Sequence, residues 1–401
     1  PMTTQTLRGM ADAGPMHWRG DRTGGSSGGD ALDERLAFVT FNPAFPGLLG
    51  RDEGVIANAD MQAFADFVLA IALPPNPVRR LDNALRPEEA RARSLYFGRV
   101  TDVIDNCNGC HTLDPSRGFF GTSGRTTFEN ETQEFKVPHL RNAYQKVGMF
   151  GMPDVSFLDL PTASRMPQGA QVRGFGFLHD GSIPTLVDFL HATVFSLSEG
   201  ERHDLEQFVH AFDTTFAPIV GQQVTLTAAN APEVAARIDL LIARARTSFV
   251  LVDQPQAREC DLVVQGTVDG LARGFLLDAA SGAFRSDRAA EAPLAAAALR
   301  GLAAGAGQAL TFTCAPPGDG LRLGLDRDGD GALDRDEFDA GSDPADPDST
   351  PGNVPTPSST PPASPTPTPL LLGCTGDCNG NAEITIAELL RAVAIALGVG
   401  T

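Results

Sequence analysis

The sequence predicts a multidomain chain, in which a mainly α domain is followed by a small β-rich domain and by acidic loop elements near the C-terminus. Three observations lead to this fold class. Apolar residues recur at helical spacing on both sides of a CxxCH motif at 107–111. Two cysteines bracket segments that alternate in polarity as strands do. A Pro/Thr-rich tract at 351–370 separates the last residues from the rest of the chain.

Length and charge limit the classes of protein that remain. A chain of 401 residues is expected to hold about two to three domains. Its 50 acidic and 31 basic residues give a net charge of -19, which disfavours nucleic acids and anionic membranes as partners. No apolar run is long enough for a membrane span. An exported, acidic protein is the resulting expectation.

The CxxCH motif decides the chemistry predicted for the first domain. Cys107 and Cys110 are spaced to add to the two vinyl groups of a porphyrin, and His111 is placed to bind the iron as proximal ligand. A thioredoxin-type CxxC is expected after a strand in a βαβ unit, and a zinc knuckle needs further cysteines or histidines. Neither companion pattern is found, so haem c is the predicted cofactor.

Helical patterns flank the motif. A predicted helix over 87–104 begins with proline and leads directly to the first cysteine. A second helix is predicted over 198–212, where Ser198 and Glu201 form a capping box ahead of an apolar face. Small c-type cytochromes begin and close in this way, so the domain is predicted to be cytochrome c-like.

Two further segments resemble those of a known family. Residues 135–142 read FKVPHLRN, and residues 179–182 read HDGS, with a Thr-Leu pair shortly after. Their order and spacing resemble the C-terminal haem domain of bacterial di-haem cytochrome c peroxidases over residues 90 to 215. The resemblance implies a haem pocket lined by both segments, with Arg141 on a propionate and His179 near the porphyrin edge. A local ion pair or a helix end is the alternative partner for Arg141.

The sixth iron ligand is left open by the sequence. Met149 is the first candidate, because a loop that folds back over the distal face would bring its thioether to the iron and favour electron transfer. His191 lies near the place where the peroxidase family carries its axial methionine. Met152 and Met166 are further candidates, and each methionine also fits ordinary core packing.

The N-terminal segment is expected to be the remainder of an upstream domain. Haem attachment requires export, yet no leader precedes the segment. Met10, Met16 and His17 are candidate ligands to a haem of that domain, although loop residues are the simpler interpretation. Residues 59–73 are apolar enough for a buried helix that ends at two prolines.

The β-rich domain is predicted from two cysteines. Cys260 and Cys314 are expected to pair, because the segment between them alternates and is rich in β-branched residues. An Ala-rich helix is predicted within it over 289–304, and no catalytic constellation is apparent. The predicted domain bounds are 1–86 for the N-terminal segment, 87–217 for the haem domain, 218–249 for a connecting helix, 250–325 for the β-rich domain, 326–350 for a calcium loop, 351–370 for the linker and 371–401 for a terminal module.

An acidic segment after the β-rich domain matches a calcium-binding loop of the EF-hand type. Residues 326–337 carry oxygen ligands, a glycine and a glutamate at the positions that such a loop of about twelve residues requires. The predicted Ca²⁺ ligands are Asp326, Asp328, Asp330, Ala332 through its main-chain carbonyl, Asp334 and Glu337. A solvated acidic turn is the alternative.

A degenerate copy of this loop ends the chain. It lacks the turn glycine and is followed by an apolar helix, so it resembles one half of a dockerin-type repeat. The resemblance implies a second Ca²⁺ site and a surface-anchoring partner, and Cys374 and Cys378 could close the loop locally. The candidate ligands are Asp377, Asn379, Asn381, Glu383, Thr385 and Glu388.

These observations predict an exported c-type cytochrome that transfers single electrons, in the periplasm or at the cell surface. A redox partner protein or a small electron donor or acceptor is the expected partner. Two alternatives remain. One is the haem-bearing part of a di-haem peroxidase-like enzyme, although the chain has a single CxxCH. The other is a calcium-stapled surface protein in which the haem is auxiliary.

Overall fold

Helices predominate up to residue 212, and a sheet predominates after it. The structure is a computed structural model, and it describes residues 6–11, 13, 16–18, 30, 32–114, 119–120, 126–127, 135–149, 172–249 and 258–353. The helices are α1 (Glu34–Val39), α2 (Ala44–Gly47), α3 (Asn58–Ala70), α4 (Pro87–Gly98), α5 (Cys107–Cys110), α6 (Leu186–Leu190), α7 (Glu199–His210), α8 (Ala231–Ala245), α9 (Ala296–Gly301), α10 (Gly320–Gly324) and α11 (Asp334–Ala340). The strands are β1 (Leu113–Asp114), β2 (Phe119–Phe120), β3 (Thr126–Thr127), β4 (Phe135–Lys136), β5 (Gly148–Met149), β6 (Val172–Arg173), β7 (Gln223–Thr227), β8 (Asp261–Val268), β9 (Leu271–Leu277), β10 (Ala283–Ser286), β11 (Leu294–Ala295) and β12 (Ala309–Ala315).

Helices α4 and α7 pack against each other around Tyr96. This side chain is 1% exposed, and its ring centroid lies 5.6 Å from that of Phe208 and 5.4 Å from that of Phe212. Both rings present an edge to the tyrosine, which is a favourable aromatic geometry. The core that forms around Tyr96 supports the start of the CxxCH segment.

The predicted helix at 198–212 is confirmed as α7, and its capping box is present at Ser198 and Glu201. The predicted helix at 87–104 ends earlier, at Gly98. Its last residues lie in a turn in which the Asp102 side chain accepts hydrogen bonds from the main-chain N–H groups of Ile104 and Asp105. Such local acceptors compete with helical hydrogen bonds, which explains the early end.

A small core forms between α1 and α3. The apolar pattern predicted a buried helix at 59–73. The helix forms as α3 and ends at Ala70, but only the face with Met61, Ala65 and Val68 is buried, whereas Phe64 and Phe67 are exposed. Met10 and Met16 are buried in this core next to Ala37 of α1. The two methionines lie outside helices and strands, as expected of loop residues, but their side chains are buried in a core, which the loop interpretation did not predict.

The second half of the described chain is built on a six-stranded antiparallel sheet in the order β11-β10-β9-β8-β12-β7. Helix α8 covers it, and Ile238 and Leu241 of this helix are fully buried against the sheet core. Cys260 and Cys314 form the predicted disulfide, with Cα atoms 5.3 Å apart. The link joins the neighbouring strands β8 and β12 at one end of the sheet.

The predicted fold class, mainly α with a small β-rich domain, is wrong. The sheet is large and it begins with β7, within the 218–249 segment where only a connecting helix was expected. β7 spans five residues and buries only Leu226 fully, so its alternation is weak. The Ala-rich segment at 289–304 is also only partly helical, because Pro293 precedes strand β11 and delays α9.

Residues Pro1–Pro351 form one unit of the chain and Gly352–Thr401 a second. Among the described residues, no helix combines the length and the apolar character that crossing a bilayer requires. This finding agrees with the expected absence of a membrane-spanning helix.

The disulfide gives a first testable prediction. Its cysteines are separated by 54 residues, and closing a loop of this size in the unfolded chain corresponds to about 4 kcal/mol in the chain-entropy model. We expect the double variant Cys260→Ala/Cys314→Ala to lose stability of this order in denaturant titrations. Reducing agent should weaken the wild type and leave the variant unchanged. A loss below about 1 kcal/mol would contradict the entropic account.

The capping box gives a second prediction, on pH dependence. Arg99, followed by the main-chain and side-chain groups of Ser198, holds the pKa of Glu201 at about 2 instead of 4.5. Because the folded pKa is the lower one, this stabilisation is complete above pH 4.5 and is lost as the pH falls towards 2. Glu201→Gln should therefore unfold earlier at pH 7 and approach the wild type in acid. Thermal melts across this pH range measure the difference in melting temperature between the variant and the wild type, and the exposed Glu233→Gln is the control. A difference that stays constant with pH would refute the role given to the Glu201 carboxylate.

Candidate functional site

The two cysteines of the CxxCH motif lie on the short helix α5. Asn106 caps this helix, since its side chain accepts a hydrogen bond from the Gly109 N–H at 2.9 Å. The same side chain donates to the Phe97 carbonyl at 3.1 Å, which ties α5 to the end of α4. Residues three apart on a helix share a face, so the cap presents Cys107 and Cys110 on one side.

Cys107 is partly buried and contacts the aromatic core of α4 and α7. Its sulfur lies 3.6 Å from the Thr101 hydroxyl. Burial is the largest influence on this thiol and raises its pKa. A thiol with a raised pKa is a poor redox nucleophile, because the thiolate is the reactive form in thioredoxin-type exchange. The environment of Cys107 therefore does not favour a thioredoxin-like site.

His111 is held by one hydrogen bond that orients its ring and by a second that fixes its main chain. Its Nδ1 lies 2.8 Å from the Pro138 carbonyl oxygen, and the Tyr96 hydroxyl donates to its main-chain oxygen. A carbonyl only accepts, so Nδ1 carries the proton and Nε2 carries the lone pair. Burial lowers the pKa of this imidazole, which keeps the ring neutral. A neutral histidine whose other nitrogen donates to a carbonyl has the arrangement of a metal ligand.

Pro138 belongs to the FKVPHLRN segment, so this segment meets the CxxCH motif. Arg141 of the same segment is 5% exposed. It donates from Nε to the Asp213 carbonyl at 3.3 Å and from Nη2 to the Thr215 hydroxyl at 3.2 Å. These contacts fasten the segment to the chain that follows α7.

His179 of the HDGS segment is 3% exposed and contacts the FKVPHLRN segment. Its Nε2 lies 2.9 Å from the Lys136 carbonyl oxygen. Its ring centroid lies 4.3 Å from that of Trp18, whose own carbonyl accepts from the Lys136 N–H at 3.3 Å. The structure thus brings the two predicted segments together, and it adds an N-terminal residue that the sequence did not indicate.

The candidate sixth ligands differ in what the structure says of them. Met149 lies in β5, where its main chain pairs with Val172, and its side chain is outside the described part. Met152 and Met166 also lie outside it. His191 uses both ring nitrogens elsewhere, Nδ1 at 2.8 Å from the Val187 carbonyl and Nε2 at 3.1 Å from Glu199.

The acidic loop at 326–337 joins α10 to α11. Gly331, at its sixth position, has a φ of 96°, a value that a glycine adopts without steric cost. Carboxylate oxygens of Asp326, Asp328 and Asp330 all lie within 4.8 Å of one another. Asp326 is 4% exposed and accepts from the Gly329 N–H at 2.7 Å. The first three predicted ligands therefore converge.

Glu337 lies on α11 within reach of the charges of Asp328 and Asp330, and it is fully buried, with 0% exposure. Within the described chain, both of its carboxylate oxygens lack a hydrogen-bond partner, and so does Oδ2 of Asp328 and of Asp330. Burial, followed by the charges of Asp330 and Asp328, raises the pKa of Glu337. Buried carboxylates without donors are costly unless a cation joins them.

The remaining predicted ligands of the loop have other contacts. Ala332 donates its N–H to Asp330 at 2.7 Å. Asp334 accepts from the main-chain N–H and from Nε of Arg327, both at 2.9 Å. In loops of this kind the ninth position often acts through water, and the arginine contact is compatible with that. The predicted second loop, from Asp377 to Glu388, lies outside the described residues, as do Cys374 and Cys378.

Several residues of the site were not predicted from the sequence. Tyr96 and Pro138 hold His111, and Trp18, Lys136 and Lys146 lie beside the FKVPHLRN segment. Pro138 and Lys136 belong to the FKVPHLRN segment that the sequence placed at the pocket, but the contact of Pro138 with His111 was not predicted, and no local pattern indicates Tyr96. The two lysines could have been noticed from the composition, because the whole chain contains no other lysine.

No family model and no curated protein sequence matches this chain. A search of solved structures finds a chain of hydrazine synthase from Kuenenia stuttgartiensis, with 16% sequence identity, a TM-score of 0.34, and coverage of 53% of this chain and 72% of that chain. At this TM-score the likeness carries no argument about fold or function.

Proposed function

We propose that this chain is an exported c-type cytochrome that transfers single electrons through one covalently bound haem. The observation that carries the proposal is the hydrogen bond from His111 Nδ1 to the Pro138 carbonyl. It leaves Nε2 of a neutral imidazole for a metal, directly after two cysteines on a capped helix. A zinc ligand has the same orientation, but zinc needs further cysteines or histidines, and among the described residues no group of three or more metal-binding side chains forms around His111. A thioredoxin site would not need this histidine.

The residues present fit a haem c group. Cys107 and Cys110 would hold it through two thioether bonds, and His111 Nε2 would bind its iron. When bound, the haem supplies reversible exchange of one electron between ferric and ferrous iron. The chain's own contribution is to orient the imidazole through Pro138 and to supply apolar contacts from the α4–α7 core.

Export is part of the proposal, and the Cys260–Cys314 disulfide supports it, because such bonds persist in oxidising compartments. A periplasmic or surface location follows, with a redox protein or a small donor or acceptor as partner. The FKVPHLRN and HDGS segments contact each other through Lys136 and His179. That contact supports the resemblance to the haem domain of di-haem cytochrome c peroxidases.

Haem attachment is tested with cysteine variants in a bacterial host that attaches haem during export. Cys107→Ser/Cys110→Ser should lose all covalent haem in the pyridine haemochrome assay and in intact mass. Cys260→Ala/Cys314→Ala also removes two cysteines and should keep the haem, so it is the matched control. Exported wild type with only the mass of the polypeptide would refute the proposal.

The absorption spectrum tests the sixth ligand. A six-coordinate spectrum whose far-red methionine band disappears in Met149→Ala would establish Met149 as that ligand. A high-spin, peroxide-reactive haem would favour the peroxidase alternative.

We propose further that residues 326–337 bind one Ca²⁺ ion. The observation that carries this is Glu337, which is fully buried with neither oxygen hydrogen-bonded among the described residues. The charges of Asp330 and Asp328 act on its carboxylate, and these two aspartates converge with Asp326 in the loop. Oxygen ligands from these positions are what Ca²⁺ takes in an EF-hand-type loop.

Glu337→Gln separates the two roles of this carboxylate. Without Ca²⁺ we expect the variant to melt at a higher temperature than wild type, because it removes a buried charge beside Asp328 and Asp330. With Ca²⁺ at 100 times its Kd, the wild type should gain about 2.7 kcal/mol and the variant much less. The exposed Asp343→Asn is the control. Equal melting temperatures of the wild type with Ca²⁺ and with chelator would refute the site.

A further inference from the structure

The chain contains only two lysines, Lys136 and Lys146, whereas its other long cationic side chains are all arginines. The two lysines lie on either side of Pro138, the residue whose carbonyl orients the His111 ring. Arginine serves for the surface ion pairs of this protein, as at Arg99 and Arg288. Lysine is therefore confined to one place in the fold.

Both lysines are at least partly removed from water, and the Glu34 charge acts on Lys136 without forming an ion pair with it among the described residues. Lys136 is 2% exposed, and Lys146 is half-buried with its Nζ 5.0 Å above the Trp18 ring. Neither forms an ion pair with a carboxylate within the described residues. Burial lowers the pKa of each lysine to about 8. A buried ammonium group in this situation is costly unless an anion joins it.

Neighbouring polar atoms also lack partners. Trp18 Nε1 and His139 Nδ1 are buried and have no hydrogen bond in the part of the chain that the structure describes. Burial, followed by the charges of Lys136, Arg141 and Lys146, lowers the pKa of His139. The two lysines, Trp18 and His139 thus lie near one another. We call these four residues the lysine pocket, and its cations and unused polar atoms are complementary to an anion.

The pocket adjoins the proposed iron ligand. Lys146 is close enough for its charge to act on the His111 ring. The main-chain carbonyl of Lys136 accepts a hydrogen bond from His179 Nε2 at 2.9 Å, so the Lys136 main chain lies against the HDGS segment. An anionic group held by the two lysines would therefore lie beside the porphyrin. A haem carries two carboxylates at one edge, so it brings the required charge with it.

We propose that Lys136 and Lys146 bind the propionate carboxylates of the haem in a buried pocket that Trp18 and His139 complete. The inference rests on the proposed function. Lysine suits this task because its ammonium is compact and reaches a carboxylate as a point charge on a flexible stem. The N-terminal segment, through Trp18, thereby becomes part of the haem pocket. A soluble phosphate or dicarboxylate has the same chemistry and is the competing source of the anion.

The test uses the haem-loaded protein and its midpoint potential. Lys136→Met and Lys146→Met each remove one positive charge and keep the length of the stem, so an unpaired propionate would favour ferric iron and lower the potential. Lys136→Arg and Lys146→Arg keep the charge and should stay near the wild-type value. Arg322→Met removes one charge from an exposed residue of α10 and should leave the potential unchanged. Lys→Gln variants replace any Lys→Met variant that does not fold.

Anion titrations identify the source. If the haem supplies the carboxylates, the wild-type potential does not respond to sodium phosphate or sodium succinate at constant ionic strength. A response that the Lys→Met variants abolish would assign the pocket to a soluble anion and overturn the propionate assignment. Lys→Met variants that match Arg322→Met would overturn the pocket itself. Absence of covalent haem in the wild type would instead refute the proposed function, so the two failures are distinguishable.

Discussion

The hydrogen bond between His111 Nδ1 and the Pro138 carbonyl is the interaction on which the first half of the structure depends. It joins the CxxCH helix to the FKVPHLRN segment, and that segment in turn contacts Trp18, His179 and the chain beyond α7 through Lys136 and Arg141. A single segment therefore connects four stretches that are distant in sequence. The same bond sets the tautomer of the imidazole, so packing and chemistry are governed by one contact.

Two sites in this protein hold charged side chains that form no ion pair within the described part of the chain. Glu337 and its neighbouring aspartates form a buried negative cluster, and Lys136 and Lys146 form a positive one. Each cluster raises the free energy of the ligand-free fold, because buried charge of one sign is poorly solvated. The ligands proposed here have the opposite charges, so binding would stabilise the folded chain at both places.

The parts that could be predicted from the sequence are those encoded within a few residues. The capping box of α7, the CxxCH spacing and the acidic loop are local, and the structure forms α7 and brings Asp326, Asp328 and Asp330 together as expected. The sheet was underestimated because β7 is short and mostly unburied, so its pairing with β12 is decided by tertiary contact.

Contacts within the site were harder to predict, because Pro138 meets His111 across 27 residues and no periodicity reports such a contact. The lysine pair was visible in the composition but acquires meaning only from its burial.

The disulfide has a mechanical consequence. Cys260 and Cys314 are 54 positions apart and covalently joined, so a force applied to the two ends of the chain cannot extend the segment that they enclose. At about 3.5 Å per residue, the disulfide keeps roughly 190 Å of contour length from extending when the chain is pulled. Strands β8, β9, β10 and β11 lie inside this closed loop, whereas β7 lies outside it. Pulling would therefore separate the edge strand β7 from the sheet, while the disulfide would keep β8 and β12 joined.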